Sequence, residues 1–260
     1  MAFQLDHVVL LVPYDYLANP PSWITDNFTL SPGGRHGDNK TENRLVLFRD
    51  GTYLEIIAFI NDDPENRRGH WWDRPYGVVD YALTAAQPID YDALIKRLEK
   101  SGTGIAYAEP KSGGRMTDGK EIRWNVTFPP GPDRGKVPFF CEDVTDRQWR
   151  VPITERNTTH PCGALGMAGI LSEVKKEDLD RLSTANAAAV DSPQQSSHRY
   201  EIGTPKAVSQ LKKPAIRLQE ALKGSDRSLF LNLILQTGRR ESSRPIYEVV
   251  DGGVVSILFE

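Results

Sequence analysis

The chain has 260 residues, of which 39% are hydrophobic and 26% are charged, and its 32 basic and 35 acidic residues give a formal net charge of -3. This composition is typical of a folded globular protein and excludes a mainly disordered chain. No long run of like charge is present, so we expect neither nucleic acid nor a membrane as a partner.

The amino terminus predicts a cytoplasmic location. It lacks the basic start of a signal peptide, and its apolar run ends at Pro13, too early for a signal peptide or a membrane span. Cys141 and Cys162 are the only cysteines, and without secretion we expect both to be reduced and buried.

The first quarter of the chain shows the order strand, helix, strand, strand, strand. An apolar run that Pro13 ends predicts the first strand, and Asp50-Gly51 between two apolar segments predicts a hairpin. The predicted elements, of which the third is irregular, lie at residues 5–12, 21–28, 29–36, 44–48 and 53–59.

The same order recurs in the next part of the chain. Asp90 is a suitable N-cap for the predicted helix, and Gly102 is a suitable residue to end it. The predicted elements lie at residues 78–84, 90–100, 105–108, 121–128 and 137–144.

Four short matches between these two parts indicate an internal repeat. They pair Leu5-Asp6-His7-Val8 with Val79-Asp80-Tyr81-Ala82, Pro32-Gly33-Gly34-Arg35-His36 with Ser112-Gly113-Gly114-Arg115-Met116, Arg44-Leu45-Val46-Leu47-Phe48 with Arg123-Trp124-Asn125-Val126-Thr127-Phe128, and Tyr53-Leu54-Glu55-Ile56 with Phe140-Cys141-Glu142-Asp143. Because all four follow the same order along the chain, we interpret them as two copies of one structural unit.

The composition changes after residue 144. A polar linker leads into an apolar run of small residues, and further elements follow, although Pro214 interrupts the helical pattern of residues 207–222 and leaves them unassigned. The linker, the apolar run, the helix, the two strands and the hairpin lie at residues 146–159, 163–174, 176–190, 199–202, 229–237 and 246–259.

These patterns predict an α+β fold. We expect paired βαβββ modules at residues 1–70 and 77–150 that form a curved mixed sheet. Residues 160–260 are expected to form an α+β extension packed on the modules, either as a degenerate third module or as an added cap.

Repeated strand positions suggest a site between the two modules. The matches pair His7 with Tyr81 and Glu55 with Glu142. An ionised carboxylate within an apolar strand is costly unless it is paired or bound to a metal, and one imidazole with two carboxylates suits a divalent ion. In the alternative interpretation His7 is a core residue, and Glu55 forms an ion pair with a nearby cationic side chain.

The neighbouring polar and aromatic residues are candidates for substrate binding. Arg35 and Arg44 could bind a carboxylate or phosphate group, and His36 could act as a general acid or base. Alternatively, Arg35 and His36 are solvated residues of a turn. Trp71 and Trp72 could line an aromatic pocket or join the two modules.

Four segments, taken in order, give the chain a family resemblance. They are Leu5-Asp6-His7-Val8-Val9, Gly33-Gly34-Arg35-His36, Asn43-Arg44-Leu45 and Tyr53-Leu54-Glu55-Ile56. With them the chain resembles glyoxalase-like domain proteins of the vicinal oxygen chelate superfamily over its first two thirds. The resemblance implies that the paired modules form a cupped sheet. The resemblance implies metal ligands at His7, Glu55 and Glu142, with Tyr81 in place of a second histidine.

The resemblance also implies two kinds of function. The first is lyase, isomerase or dioxygenase chemistry on a small oxygen-rich molecule, assisted by Fe, Mn, Zn, Ni or Mg, with Glu55 or Glu142 doubling as a base. The second is a metal-independent binding protein or cyclase, in which Tyr81, Trp71 and Trp72 form the walls of the cavity. Arg35 or His36 would then anchor the ligand. A homodimer is a further expectation.

Overall fold

The computed structural model describes residues 3–117, 119–222, 227–238 and 244–260. The strands are β1 (Phe3–Leu11), β2 (Ser31–Arg35), β3 (Thr41–Leu47), β4 (Tyr53–Phe59), β5 (Gly77–Ala85), β6 (Lys111–Thr117), β7 (Lys120–Thr127), β8 (Phe139–Asp143), β9 (Ala164–Val174), β10 (Arg199–Glu201), β11 (Ala215–Glu220), β12 (Leu229–Thr237), β13 (Ile246–Val250) and β14 (Gly253–Phe259). The α-helices are α1 (Asp15–Ala18), α2 (Ser22–Thr25), α3 (Pro64–Arg67), α4 (Tyr91–Ser101), α5 (Arg147–Arg150) and α6 (Lys176–Ala189).

Two units with the same strand pairing form a cup. In the first, β1 is parallel to β4, which is antiparallel to β3, and β3 is antiparallel to β2. In the second, β5, β8, β7 and β6 repeat this arrangement. Antiparallel pairing of β1 with β5 joins the units and places His7 opposite Ala82. The predicted α+β fold with a curved mixed sheet of paired βαβββ modules is confirmed.

The outer strands of the two units also meet. A single bridge pairs His36 with Arg115, and the Gly37 N–H donates to the carbonyl of Gly114 at 3.0 Å. The cup is therefore closed at one side by backbone contacts between the β2 and β6 ends.

The pairing scheme occurs twice more in the carboxy-terminal part. There β9 is parallel to β11 and β12 is parallel to β14, while β10 and β13 add antiparallel partners. Antiparallel pairing of β9 with β12 joins these two shorter units, as β1 with β5 joins the first two. The sequence left open a degenerate third module or an added cap, and the described strands form two shortened copies of the unit.

One local prediction was wrong, and part of one unassigned segment forms a strand. Residues 105–108 form no strand, because Gly104, with φ +72°, and Pro110 leave too short a segment between them, and the strand begins at Lys111 instead. Residues 215–220 form β11, since Pro214 precedes the strand and its missing N–H is not needed there.

The hydrophobic core lies on the face of the sheet opposite the cup. Helix α4 begins as predicted, with the Asp90 carboxylate accepting from the Ala93 N–H at 3.0 Å, and ends at Gly102 with φ +65°. It buries Leu94 and Leu98, and α6 buries Leu182 against the same sheet. Each such leucine contributes about 1.5–3 kcal/mol. Within the described ranges, no helix has the length and hydropathy needed to cross a bilayer.

Candidate functional site

A cavity of about 720 Å³ occupies the inside of the cup. This volume suits a small organic molecule. Its aromatic lining residues are Tyr53, Trp71, Trp72, Trp124, Phe128 and Phe139. Its buried or partly buried polar lining residues include His7, His36, Asn43, Glu55, Arg115 and Arg150. The cavity therefore combines planar apolar walls with a cluster of charged and hydrogen-bonding groups.

His7 is held in a fixed orientation on β1. Its Nδ1 lies 2.7 Å from Asp6 Oδ2, and its ring stacks on Tyr53 with centroids 4.6 Å apart. Because an ionised carboxylate can only accept, Nδ1 carries the proton in this bond. Nε2 lies 3.6 Å from Glu55 Oε2. A neutral His7 therefore presents a free electron pair at Nε2, as a metal-ligating histidine does.

Two arginines keep Asp6 ionised. Burial alone would raise the pKa of Asp6, but the guanidinium groups of Arg147 and Arg150 outweigh it and hold that pKa well below its usual value. Arg150 donates from Nη1 to Asp6 Oδ2 at 2.9 Å and from Nε to Asp143 Oδ1 at 2.5 Å. The orientation of His7 thus depends on a buried ion-pair network behind it.

Glu55 is buried and remains ionised at neutral pH. Its Oε1 accepts from Asn43 Nδ2 at 2.5 Å and lies 3.5 Å from His36 Nε2. Burial raises the pKa of Glu55, but His36, His7 and Asn43 together lower it to about 2. Such a carboxylate is suited to hold a cation or a charged imidazole and is a weak base.

Arg115 approaches the same cluster from the second unit. Its Nη1 donates to Asn43 Oδ1 at 3.3 Å, and its Nη2 donates to the Arg150 carbonyl at 3.2 Å. Asn43 therefore connects Glu55 to Arg115 through one amide group. In the sequence, Arg115 stands out only as part of the Gly-Gly-Arg match, which predicts no role for it.

The donor set fits a divalent ion in one half of the cup. His7 Nε2 and the Glu55 carboxylate offer one nitrogen and one oxygen ligand, and His36 lies beside the other Glu55 oxygen. In the second unit, Ala82 lies opposite His7, and Cys141 lines the cavity from β8. A metal ion would therefore take its protein ligands mainly from the first unit.

Another cluster that could hold a metal is a poorer fit. Ligand atoms of Asp6, His7 and Cys141 lie within 4.8 Å of one another. Asp6 is already paired with Arg147 and Arg150, however, and burial raises the pKa of Cys141 well above its usual value. A neutral thiol and a carboxylate that two guanidinium groups occupy are weak metal ligands.

Two predicted site residues lie on the other face of the sheet. Glu142 accepts from the Ile89 N–H at 2.9 Å and from the Tyr91 hydroxyl at 2.6 Å, both near the start of α4. Tyr81 is fully buried and donates to Asn186 Oδ1 at 2.9 Å. The repeat alignment was displaced by one residue, and a shift of one residue moves a strand side chain to the opposite face. Neither residue joins His7 and Glu55.

The arginine predictions have different outcomes. Arg44 lies outside the cup and donates to the Leu17 carbonyl at 3.2 Å, because it follows the cup-facing Asn43 and points the other way. Arg35 lies at the rim of the cavity with its side chain half exposed, and it donates from Nε to Glu42 Oε1 at 2.8 Å.

Both predicted tryptophans line the cavity. Trp71 is 38% exposed and packs against Phe128 with ring centroids 5.2 Å apart. Trp72 is buried, and its Nε1 lies 3.4 Å from Asp80 Oδ2. The lining position is compatible with a role in binding, and the contact with Asp80 on β5 also joins the two units.

Comparison with known structures shows the same fold in other proteins. A hypothetical protein from Staphylococcus aureus is 12% identical, with both chains covered completely and a TM-score of 0.66. A Mn(II)-bound glyoxalase from Novosphingobium aromaticivorans is 14% identical over 100% of this chain and 82% of that one, with a TM-score of 0.50. A mutant of 4-hydroxymandelate synthase from Streptomyces coelicolor is 13% identical over 92% and 72%, with a TM-score of 0.52.

The sequence itself matches a family. No curated protein sequence matches significantly. The model of the glyoxalase-like domain family matches residues 5–188, which is more than half of the chain. That segment contains both units of the cup and every predicted site residue. The chain therefore belongs to the glyoxalase-like domain family.

Proposed function

We propose that the cup binds a small oxygen-bearing molecule and that His7 and Glu55 hold a divalent metal ion for lyase, isomerase or dioxygenase chemistry. The observation that supports this is the 3.6 Å separation of His7 Nε2 from Glu55 Oε2 inside the cavity. The ion, when bound, would act as a Lewis acid toward substrate oxygen atoms.

The chain's own residues have separate tasks in this proposal. Asp6 keeps the proton on His7 Nδ1, so that Nε2 stays available as a ligand. Asn43 holds the Glu55 carboxylate in place. His36, whose Nδ1 lies 2.7 Å from Thr41 Oγ1, is placed to move a proton at Nε2. Glu55 is too acidic to serve as the base.

The test is metal analysis of protein purified without a histidine tag. We expect about one divalent ion per chain after dialysis against manganese, zinc or iron, and His7→Ala or Glu55→Gln should weaken binding by at least about tenfold. Glu142→Gln is the matched control, since Glu142 faces α4, and it should bind metal like the wild type. Substoichiometric metal that His7→Ala leaves unchanged would contradict the proposal.

A metal-independent binding protein or cyclase is the second candidate. It is favoured by the second unit, where Ala82 lies opposite His7 and the thiol of Cys141 lines the cavity from β8. Asp6 and His7 would then serve as a proton-transfer pair. Small-molecule binding that persists in chelator, together with a metal-free wild type, is the outcome that distinguishes this candidate.

A further inference from the structure

We infer that Arg115 binds an anionic group of the substrate and that the cavity therefore takes a carboxylate carried by a planar apolar molecule. This inference rests on the proposed function, because it names the substrate class of the same cavity. It does not depend on whether a metal is bound.

The first observation is a buried guanidinium that lacks an anionic partner among the residues that the structure describes. Arg115 is 5% exposed, and its two hydrogen bonds go to neutral oxygens, Asn43 Oδ1 and the Arg150 carbonyl. Its Nε has no hydrogen-bond partner within residues 3–117, 119–222, 227–238 and 244–260. In this part of the chain, two of the five guanidinium N–H groups donate to protein acceptors. A buried charge in this state is costly unless a counter-ion arrives.

The other buried arginines show that this arrangement is unusual. In the described part of the chain three arginines are buried. Arg150 pairs with Asp6 and Asp143, and Arg134 pairs with Asp80 at 2.9 Å. For Arg115 no carboxylate lies within ion-pair distance among the described residues. Burial lowers the pKa of Arg115, and Tyr53 and Glu55 oppose this shift from a greater distance.

The position of Arg115 points to the cavity as the source of that counter-ion. Arg115 lines the cavity, and its backbone bridges to His36. Through Asn43 it lies next to Glu55, the group that we place at the metal. A carboxylate on Arg115 would therefore have its adjoining atoms beside the His7 and Glu55 pair.

The rest of the lining indicates what carries the anion. Trp71, Phe128 and Phe139 form one continuous aromatic wall, with ring centroids 5.2 Å and 4.7 Å apart along it. The rings of Trp124 and His36 are nearly perpendicular, with centroids 6.0 Å apart. Aromatic faces of this kind pack against planar apolar groups. An aromatic or conjugated carboxylate satisfies both the wall and the arginine.

The experiment compares acids with their uncharged amides. Benzoate, phenylacetate, indole-3-acetate and naphthalene-2-carboxylate, each beside its amide, are titrated calorimetrically at constant ionic strength in EDTA. We expect at least one acid to bind about tenfold more tightly than its amide, and Arg115→Met to abolish this preference. Arg115→Lys should keep part of it, since the charge remains while the planar fork is lost.

The matched control is Arg68→Met, which removes an exposed arginine paired with Glu65 outside the cavity and should leave the preference unchanged. The wild-type comparison needs no variant, so a misfolded Arg115→Met protein does not remove the test.

The inference is wrong if no acid is preferred over its amide, or if Arg115→Met keeps the preference. If the protein prefers acids but binds no metal, this inference is supported and the metal proposal is contradicted. If it binds stoichiometric metal but does not prefer acids, the metal proposal is supported and this inference is contradicted.

Discussion

Asn43 is the residue that couples the opposite charges of the site. Its amide nitrogen donates to Glu55, and its amide oxygen accepts from Arg115 and from the Gly34 N–H at 3.0 Å. One short side chain thus holds an anion and a cation apart while hydrogen bonding to both. Leucine of similar size has neither donor nor acceptor, and ionised aspartate has only acceptors, whereas the amide of asparagine carries both.

Asn43→Leu is expected to lower the free energy of unfolding by at least about 2 kcal/mol, since it leaves several buried polar groups without partners. It should also raise the pKa of Glu55 above its value of about 2, because the Asn43 donor is lost. Urea unfolding and a carbon-detected NMR titration measure the two effects. Asn19→Ala, which removes an exposed hydrogen bond to Asp15, should change stability by less than about 0.5 kcal/mol. Equal effects of both variants would contradict this role.

Among the elements, the short helix α5 has a larger role than its four residues suggest. Arg150 from this helix reaches Asp6 on β1, Asp143 on β8 and the Tyr53 hydroxyl on β4, the last at 2.6 Å. The Asp146 side chain caps the helix by accepting from the Gln148 N–H at 2.9 Å. Both units of the cup are therefore tied together by one helix that follows them in the chain.

Arg150→Met should destabilise the protein by about 3 kcal/mol, because Asp6 and Asp143 then share Arg147 as their cation and the Tyr53 hydroxyl loses its Arg150 donor. Denaturant unfolding measures this loss. Arg156→Met, an exposed change in the following segment, is the control and should fall within about 0.5 kcal/mol of the wild type. A loss below about 1 kcal/mol for Arg150→Met would mean that the network contributes little.

Strand order was more predictable than the facing of side chains. The apolar runs and the hairpin at Asp50-Gly51 identified β1 and β4, and parallel pairing of these strands brings His7 and Glu55 together. Tyr81 and Glu142 were misplaced because a repeat match does not fix register to one residue. Arg115 could not be recognised as a site residue, since its approach to Asn43 depends on the closure of β6 against β2.

At the scale of the whole molecule, the Asp50-Gly51 turn joins the cup to the carboxy-terminal units. Asp50 Oδ2 accepts from the Met167 N–H on β9 at 3.0 Å, and the Asp50 carbonyl accepts from the Lys206 N–H at 2.8 Å. Its Oδ1 accepts from the Thr52 hydroxyl at 2.6 Å. Despite these bonds, burial raises the pKa of Asp50 to about 6.

Because of this raised pKa, the contact between the Asp50-Gly51 turn and the carboxy-terminal units is sensitive to pH. Since the pKa in the folded state exceeds the ordinary value of 3.8, the stability that protonation contributes is complete below about pH 3.8 and is lost as pH rises through 6. We expect this group to lower the free energy of unfolding by about 3 kcal/mol over that range. Asp50→Asn should remove this component, as unfolding measured between pH 4 and 7 would show. Asp26→Asn, an exposed change, should keep it, and parallel curves for wild type and Asp50→Asn would exclude the effect.

The contact between β2 and β6 has a consequence for solubility. These are the outer strands of the two units, and unpaired strand edges are sites where chains aggregate. The hydrogen bond from Gly37 to Gly114 lets each strand shield the edge of the other. Position 114 has no room for a side chain, because a Cβ there would lie 2.8 Å from the Ile122 carbonyl oxygen. His36 and Arg115, which face the ligand cavity, form the bridge at this contact. Widening the cavity there for a larger ligand would therefore expose two strand edges and make the protein prone to self-association.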